Sequence, residues 1–320
     1  MDNGIHFISG LPRSGSTLLA ALLRQNPAHH ANITSPVGSM VGTMLAEMSV
    51  DHEGSVFFDH AQRAAVLRGL FDSYYHAIHP TKAVFDTNRG WTTRLDLLSR
   101  LFPEARVICC VRPIPWIIDS VERLLRRNPF ELSKIFGFDQ GGTVYSRADG
   151  LMSPVGMVGF ALNALKQAMH SDHAGRLLLL PYDTLVSEPA AAMAAIYDFI
   201  GQPPFQHDFE SVSFDASTFD ARLGTPGLHD VRSQVRSVER KTILPPDLWE
   251  RFEGSSIWRM PEFNTSAIPI ACDTAAAPSP DLPVEISPDP QQLSPAKAID
   301  TWALTAIPAY PVSSPARRSS

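Results

Sequence analysis

The chain is poor in cysteine. Three occur in 320 residues, two of them adjacent at Cys109 and Cys110. That is too few for a disulfide framework, and the spacing suggests no zinc site. The adjacent pair reads as part of a buried strand, where small soft side chains pack well. Long hydrophobic runs are lacking too. No stretch of about 18 apolar residues occurs, so no membrane span is expected. The N-terminus has no basic segment followed by an apolar one, so no secretory leader is expected and the location is read as cytoplasmic. An excess of basic charge is also missing. The net charge is −6 and the pI about 6.0, so no overall positive field points to nucleic acid or to an anionic membrane. What is present suits a globular protein: 44% hydrophobic and 19% charged residues, enough for one large α/β domain with a proper core. No internal repeats appear.

The stretch from Ile5 to Asn26 is the most informative. Ile5-His6-Phe7-Ile8 reads as a short buried strand, followed by the loop Ser9-Gly10-Leu11-Pro12-Arg13-Ser14-Gly15. Leu18, Leu19, Leu22 and Leu23 then recur at helical spacing until Asn26-Pro27. Backbone N–H groups at a helix start lack intrahelical partners and lie at the positive end of the dipole, so a strand–loop–helix of this kind can hold an anion. The spacing Gly10…Gly15-Ser16-Thr17 is that of a P-loop, with Ser16 where the nucleotide-triphosphatase lysine would stand. Loss of that lysine argues against transfer or hydrolysis of a γ-phosphate. Arg13 supplies a cation earlier in the loop, Gly10 and Gly15 permit close backbone approach, and Ser14, Ser16 and Thr17 add hydroxyls.

Pro12-Arg13-Ser14-Gly15-Ser16-Thr17 resembles the 5′-phosphosulfate loop of PAPS-dependent sulfotransferases, and is similar to that of the tyrosylprotein and related enzymes. Arg106–Val111 is a continuously apolar strand, as a strand buried on both faces should be. It runs into Arg112, with Ser120 eight positions on in the following helix. This resembles the family's 3′-phosphate site, and the planar fork of an arginine suits bidentate contact with phosphate. Tyr182-Asp183-Thr184-Leu185 up to Pro189 is similar to a family segment whose tyrosine lies beside the nucleotide. The resemblance covers roughly residues 5–260. It implies PAPS as sulfonate donor, PAP as product, no metal, a hydroxyl-bearing acceptor as partner, and a bacterial-type enzyme without a membrane anchor.

Two positions depart from the family pattern. The catalytic glutamate of the tyrosylprotein enzymes has no counterpart in the polar loop 27–39, where His29 and His30 are the only titratable side chains. The family's catalytic lysine is replaced by Thr87, so Arg89 is the candidate for its charge and Asp86 a candidate base or a partner orienting Arg89. His229 is a further candidate base. Arg236, Arg240 and Lys241 lie in a late loop of the kind that closes over the nucleotide in relatives, and Arg240 and Lys241 are the expected nucleotide contacts.

Elsewhere, residues 40–80 read as helices, Ala83–Phe85 as a strand, and 126–155 as a polar Gly-rich loop. A helix is expected over 158–170, a strand over 176–181 and a helix over 189–200, with Pro189 at its start and Gly201 just past its end. Residues 211–246 look loop-like. From Asn264 onward the chain holds ten of the 27 prolines and no glycine, so 264–320 is expected to be a disordered tail. The resulting expectation is an α/β domain over 1–263, a P-loop-like, doubly wound parallel sheet flanked by helices. Its activity would be transfer of a sulfonate group from PAPS to a peptide tyrosine, a carbohydrate, a lipid or a small metabolite. A P-loop nucleotide or small-molecule kinase and a non-catalytic PAP-binding protein are the rival readings.

Overall fold

The computed structural model of the protein describes residues 4–78, 81–130, 133–135 and 140–272. At its centre is a five-stranded sheet in the order β2-β3-β1-β4-β5. The strands are β1 (Ile5–Gly10), β2 (His29–Ala31), β3 (Ala83–Thr87), β4 (Val107–Val111) and β5 (Leu177–Pro181), and every pairing is parallel. The chain leaves β1 toward β2 and β3 on one side, then crosses to β4 and β5 on the other. The direction of winding therefore changes between β1 and β4, and ligands of open α/β sheets bind at the carboxyl ends of strands at such a point.

The strand sequences explain the layering. Alternate residues face opposite sides. Phe7, Val107, Cys109, Leu177 and Leu179 enter one core; Ile8, Ile108, Cys110, Leu178 and Leu180 enter the other. Both faces are covered by helices, which is why these strands are buried at every position rather than at alternate ones. The first face carries α2 (Val37–Glu47), α3 (His60–Tyr74), α4 (Leu95–Leu101), α5 (Ile114–Arg127), α6 (Val144–Met152), α7 (Met157–Met169) and α11 (Pro246–Glu253). The second carries α1 (Ser16–Leu23) and α9 (Pro189–Ile200). Two short helices complete the order, α8 (Tyr182–Ser187) and α10 (Ser217–Arg222).

Three sequence expectations change. His29 and His30 do not lie in a loop but form β2, a short strand held by pairing His29 to Ala83 and Ala31 to Phe85. Part of the stretch read as a Gly-rich loop is α6, opened by a capping box in which Thr143 accepts from the Ser146 amide at 3.1 Å and Ser146 Oγ accepts from the Thr143 amide at 3.0 Å; residues 131, 132 and 136–139 of that stretch lie outside the described residues. The packed unit also extends past 263. Ile268 and Ala271 are buried, and Leu179 exchanges backbone hydrogen bonds with Pro269 and Ala271, each 2.9 Å. These residues escape the expected tail because Ile268, Ile270 and Ala271 give the segment apolar surface to bury, and it covers the free edge of β5. The remainder of that expected tail lies outside the described residues.

Candidate functional site at the carboxyl edge of the sheet

Gly10 ends β1 with φ +101°, and a Cβ built there would lie 2.3 Å from the Cys110 carbonyl oxygen. Only glycine lets the loop start pressed against β4. Arg13 takes φ +57° and Gly15 φ +93°. Left-handed residues alternating in this way curl the backbone so that successive N–H groups face one concavity. Gly15 is followed by α1, whose start has no side-chain cap and no acidic residue in its first turn. Ser14 is fully buried and donates back to the Pro12 carbonyl at 3.2 Å, so its hydroxyl holds the loop in shape. Ser16 and Thr17 open the helix and are partly exposed.

Two arginines meet over this loop. Arg112, at the carboxyl end of β4, donates through Nη1 to the Arg13 carbonyl at 3.2 Å and places its guanidinium 4.1 Å from the centre of the Tyr182 ring. The same ring packs against Gly15, where a Cβ would approach Tyr182 Cδ2 to 3.0 Å. Arg112 Nε is buried and has no hydrogen-bond partner among the described residues, and neither does Thr87 Oγ1 at the end of β3. Buried donors are ordinarily paired, so two orphans on one edge of a sheet suit a site that a polar ligand completes. Arg13 donates from Nε to Ser120 Oγ at 3.1 Å and from Nη1 to the Leu228 carbonyl. Burial and the nearby Arg112 charge push its pKa down to about 10, which leaves it charged at neutral pH.

Asp119 organises the neighbouring wall. It is fully buried on α5, accepting from Arg123 Nε at 2.9 Å, Thr242 Oγ1 at 3.1 Å and the Ile243 amide at 2.8 Å. Arg240 Nη2 lies 3.0 Å from it but out of line for a hydrogen bond, with the guanidinium 5.1 Å from the Trp116 ring centre. The late loop is thus tied to the helix that carries Ser120. Lys241 is exposed, and its carbonyl, not its ammonium, takes part by accepting from Arg123. Arg236 is exposed as well.

The candidate bases separate. Asp86 is wholly buried: Ser35 Oγ (2.5 Å) and Tyr75 Oη (2.6 Å) donate to one oxygen and Trp91 Nε1 (2.8 Å) to the other. Burial raises its pKa, opposed by these three donors. Both oxygens are engaged in holding the end of β3 to its surroundings, which gives the carboxylate a structural part. Arg89 follows β3 as an exposed residue, its carbonyl receiving Ser9 Oγ at 3.2 Å. His29 is 2% exposed and stacks on Tyr197 with ring centres 5.5 Å apart, which makes it a core residue.

His229 is placed differently. Its Nδ1 lies 2.5 Å from Asp220 Oδ1, and its amide donates to Asp220 Oδ2 at 2.9 Å. The residue before it is Leu228, whose carbonyl receives Arg13. Burial lowers the His229 pKa; Asp220 pulls it up, and the charges of Arg13 and Arg89 push it further down. Four sequence candidates therefore share one region: Arg13, Ser120, Arg89 and His229. Sequence reading missed Asp220 and Asp119. Nothing in the pattern marks Asp220, nine positions before its histidine in a stretch without strong periodicity, whereas Asp119 could have been suspected as the neighbour of Ser120. A cavity of about 240 Å³ opens beside this region, lined by Asn32, Ile33, Thr34 and residues 215–219. One of its walls, Phe219, touches the His229 ring edge-on at 5.6 Å.

Among the described residues, no three His, Cys, Asp or Glu side chains are grouped to hold a metal ion, and no helix is long and apolar enough to cross a membrane. No curated protein matches the sequence. The chain shows partial backbone likeness to solved structures. One is the sulfotransferase domain from the Synechococcus PCC 7002 olefin synthase, at 20% identity over 78% of this chain and 92% of that one, with a TM-score of 0.39. Another is a sulfotransferase from Alicyclobacillus acidocaldarius, at 15% identity over 82% and 95%, with a TM-score of 0.47. The sequence profile of the sulfotransferase family matches residues 6–207, a span that holds β1 to β5, the Arg13 loop, Arg112, Ser120 and Tyr182, and the chain belongs to that family.

Proposed function

We propose that the protein transfers a sulfonate group from PAPS to the hydroxyl of an acceptor and releases PAP. The observation that carries this reading is the junction of the first loop with Arg112: one nitrogen of Arg112 binds the Arg13 carbonyl while the buried Nε has no partner among the described residues. A guanidinium so fixed offers a donor to a phosphate beside a loop already shaped for an anion. In this reading the loop amides, with Arg13, Ser16 and Thr17, hold the 5′-phosphosulfate, and Arg112, Ser120 and Arg240 hold the 3′-phosphate beside Tyr182. Arg13 and Arg89 stabilise the charge that gathers on the leaving 5′-phosphate, and His229 takes the acceptor's proton. Charge stabilisation and positioning dominate such a transfer. The residue in the P-loop lysine position is Ser16, which offers no cation to a γ-phosphate and disfavours the kinase reading. The cavity beside Phe219 has Asp215 and no basic side chain in its lining, so it suits an acceptor whose body is neutral or cationic rather than anionic.

The test is incubation with sulfur-35-labelled PAPS and separate phenolic, glycoside and lipid-alcohol acceptors. The expected result is PAP release matched by labelled acceptor in one class, and its loss in Arg13→Ala. PAP formation no greater than with Arg13→Ala, for every acceptor class, would overturn the reading.

A further inference from the structure

The short helix α10 and the turn after it carry a buried carboxylate that the proposed binding of the donor does not use. Asp220 is 1% exposed. Of its two oxygens, one meets His229 Nδ1 at 2.5 Å and the other accepts the His229 amide at 2.9 Å. A carboxylate cannot donate, so the short contact requires the proton to sit on Nδ1. Phe219 packs edge-on against the ring and limits its rotation. The carbonyl of Leu228, one residue back, is anchored by Arg13 of the first loop. The imidazole is therefore fixed three times: in tautomer by Asp220, in orientation by Asp220 and Phe219, and in position by the loop that holds the donor. Nε2 is the ring nitrogen that this contact leaves over, and the side chain remains 21% exposed.

We infer that Asp220 is a positioning residue that makes Nε2 of His229 the proton-accepting atom of the transfer. The inference rests on the proposed sulfonate transfer. In the step, the acceptor oxygen forms its bond to sulfur and its proton passes to Nε2. The bond between sulfur and the 5′-phosphate oxygen breaks, and its electron pair leaves with PAP. Asp220 then faces an imidazolium, whose charge it stabilises, and no further co-reactant is needed. The charged groups around the ring are consistent with this cycle. Arg13, from the loop after β1, and Arg89, after β3, favour the neutral ring before reaction, while Asp220, from α10, favours the protonated ring after it. Burial adds to the arginines, and the net direction is downward, toward the neutral ring that can accept a proton.

The experiment begins with nitrogen-15 NMR of the imidazoles in the wild-type protein, with His229 assigned by comparison with His229→Gln. The neutral ring is expected as the Nδ1–H tautomer. In Asp220→Asn it should lose that preference and titrate at lower pH, because the raising influence of the carboxylate is gone. With PAPS and an acceptor, Asp220→Asn should lower kcat by about a hundredfold or more, with the acidic limb of the kcat–pH profile moved to lower pH and the affinity for PAP within twofold of wild type. Asp220→Glu should restore part of the rate. A wild-type ring in the Nε2–H form would overturn the inference whether or not the variants fold. So would an equal fall in rate at every pH accompanied by loss of PAP binding, which is what a merely structural aspartate would give. Failure of the wild type to bind PAP at all would instead sink the donor assignment and leave the tautomer result standing.

Discussion

Arg13 shows how one residue serves several parts of the site. Its backbone is left-handed, its carbonyl receives Arg112, and its side chain reaches Ser120 and Leu228. It thereby links the loops after β1 and β4 to the late segment that carries His229. The glycine before it is as constrained. Gly10→Ala would force a Cβ against the Cys110 carbonyl at a φ that side chains avoid. The expected cost exceeds about 2 kcal/mol, read as a fall in the urea midpoint together with weakened PAP binding. A variant of unchanged stability would contradict the geometry. Asp86 is the opposite case, a residue whose type suggested chemistry and whose surroundings give it a structural part. Replacing it with alanine leaves the buried Tyr75 and Trp91 donors unpaired, at about 3 kcal/mol. We predict that Asp86→Ala lowers the unfolding midpoint while the surviving folded protein keeps its PAP affinity. Undiminished stability with abolished turnover would return Asp86 to the list of bases.

At the scale of elements, the strand–loop–helix units, with the loop after β1 and the arginine at the end of β4, were legible because each carries its own local signal. β4 and β5 are apolar runs, β1 and β3 open on short apolar stretches, and α9 has proline at its start and glycine at its end. β2 was not legible, because three residues with two histidines show no strand pattern and take their place in the sheet by pairing with β3. The Asp220–His229 contact was hidden for a related reason: it joins a short helix to a turn, and nothing periodic announces it. β2 also brings a chemical consequence. His29, His6 and His207 gather around Phe85 and Tyr197. Burial pushes the pKa of each down, His6 to about 4. A histidine whose folded pKa lies below its unfolded value binds fewer protons in the native state. Its stabilising contribution is therefore complete above pH 6.5 and is lost as the pH falls toward 4, by roughly 3 kcal/mol for His6 alone. Asp86, with a raised pKa, acts in the opposite sense. The expected net result is a melting temperature that drops between pH 6.5 and 4, with a smaller drop in His6→Gln. An equal drop in both would remove the histidine cluster as its cause.

At the scale of the whole molecule, a net charge of −6 coexists with arginines gathered at one edge of the sheet, Arg13, Arg112 and Arg240 among them. A polyanionic ligand is then drawn to a local field against a repulsive background. Salt screens charges over about 8–10 Å at physiological strength, so affinity for PAP should weaken several-fold from 50 to 300 mM salt, while Asp86→Ala leaves that slope unchanged. The same architecture explains why a chain without a P-loop lysine keeps the loop: backbone amides and arginines from neighbouring loops meet at the point where the winding reverses. The most direct measurement is calorimetric titration of the purified protein with PAP, wild type against Arg112→Ala. We predict tight binding by the wild type, weakened at least tenfold in the variant, about 1.4 kcal/mol. Absence of PAP binding, or equal binding by both proteins, would contradict the assignment of Arg112 and with it the account of the site.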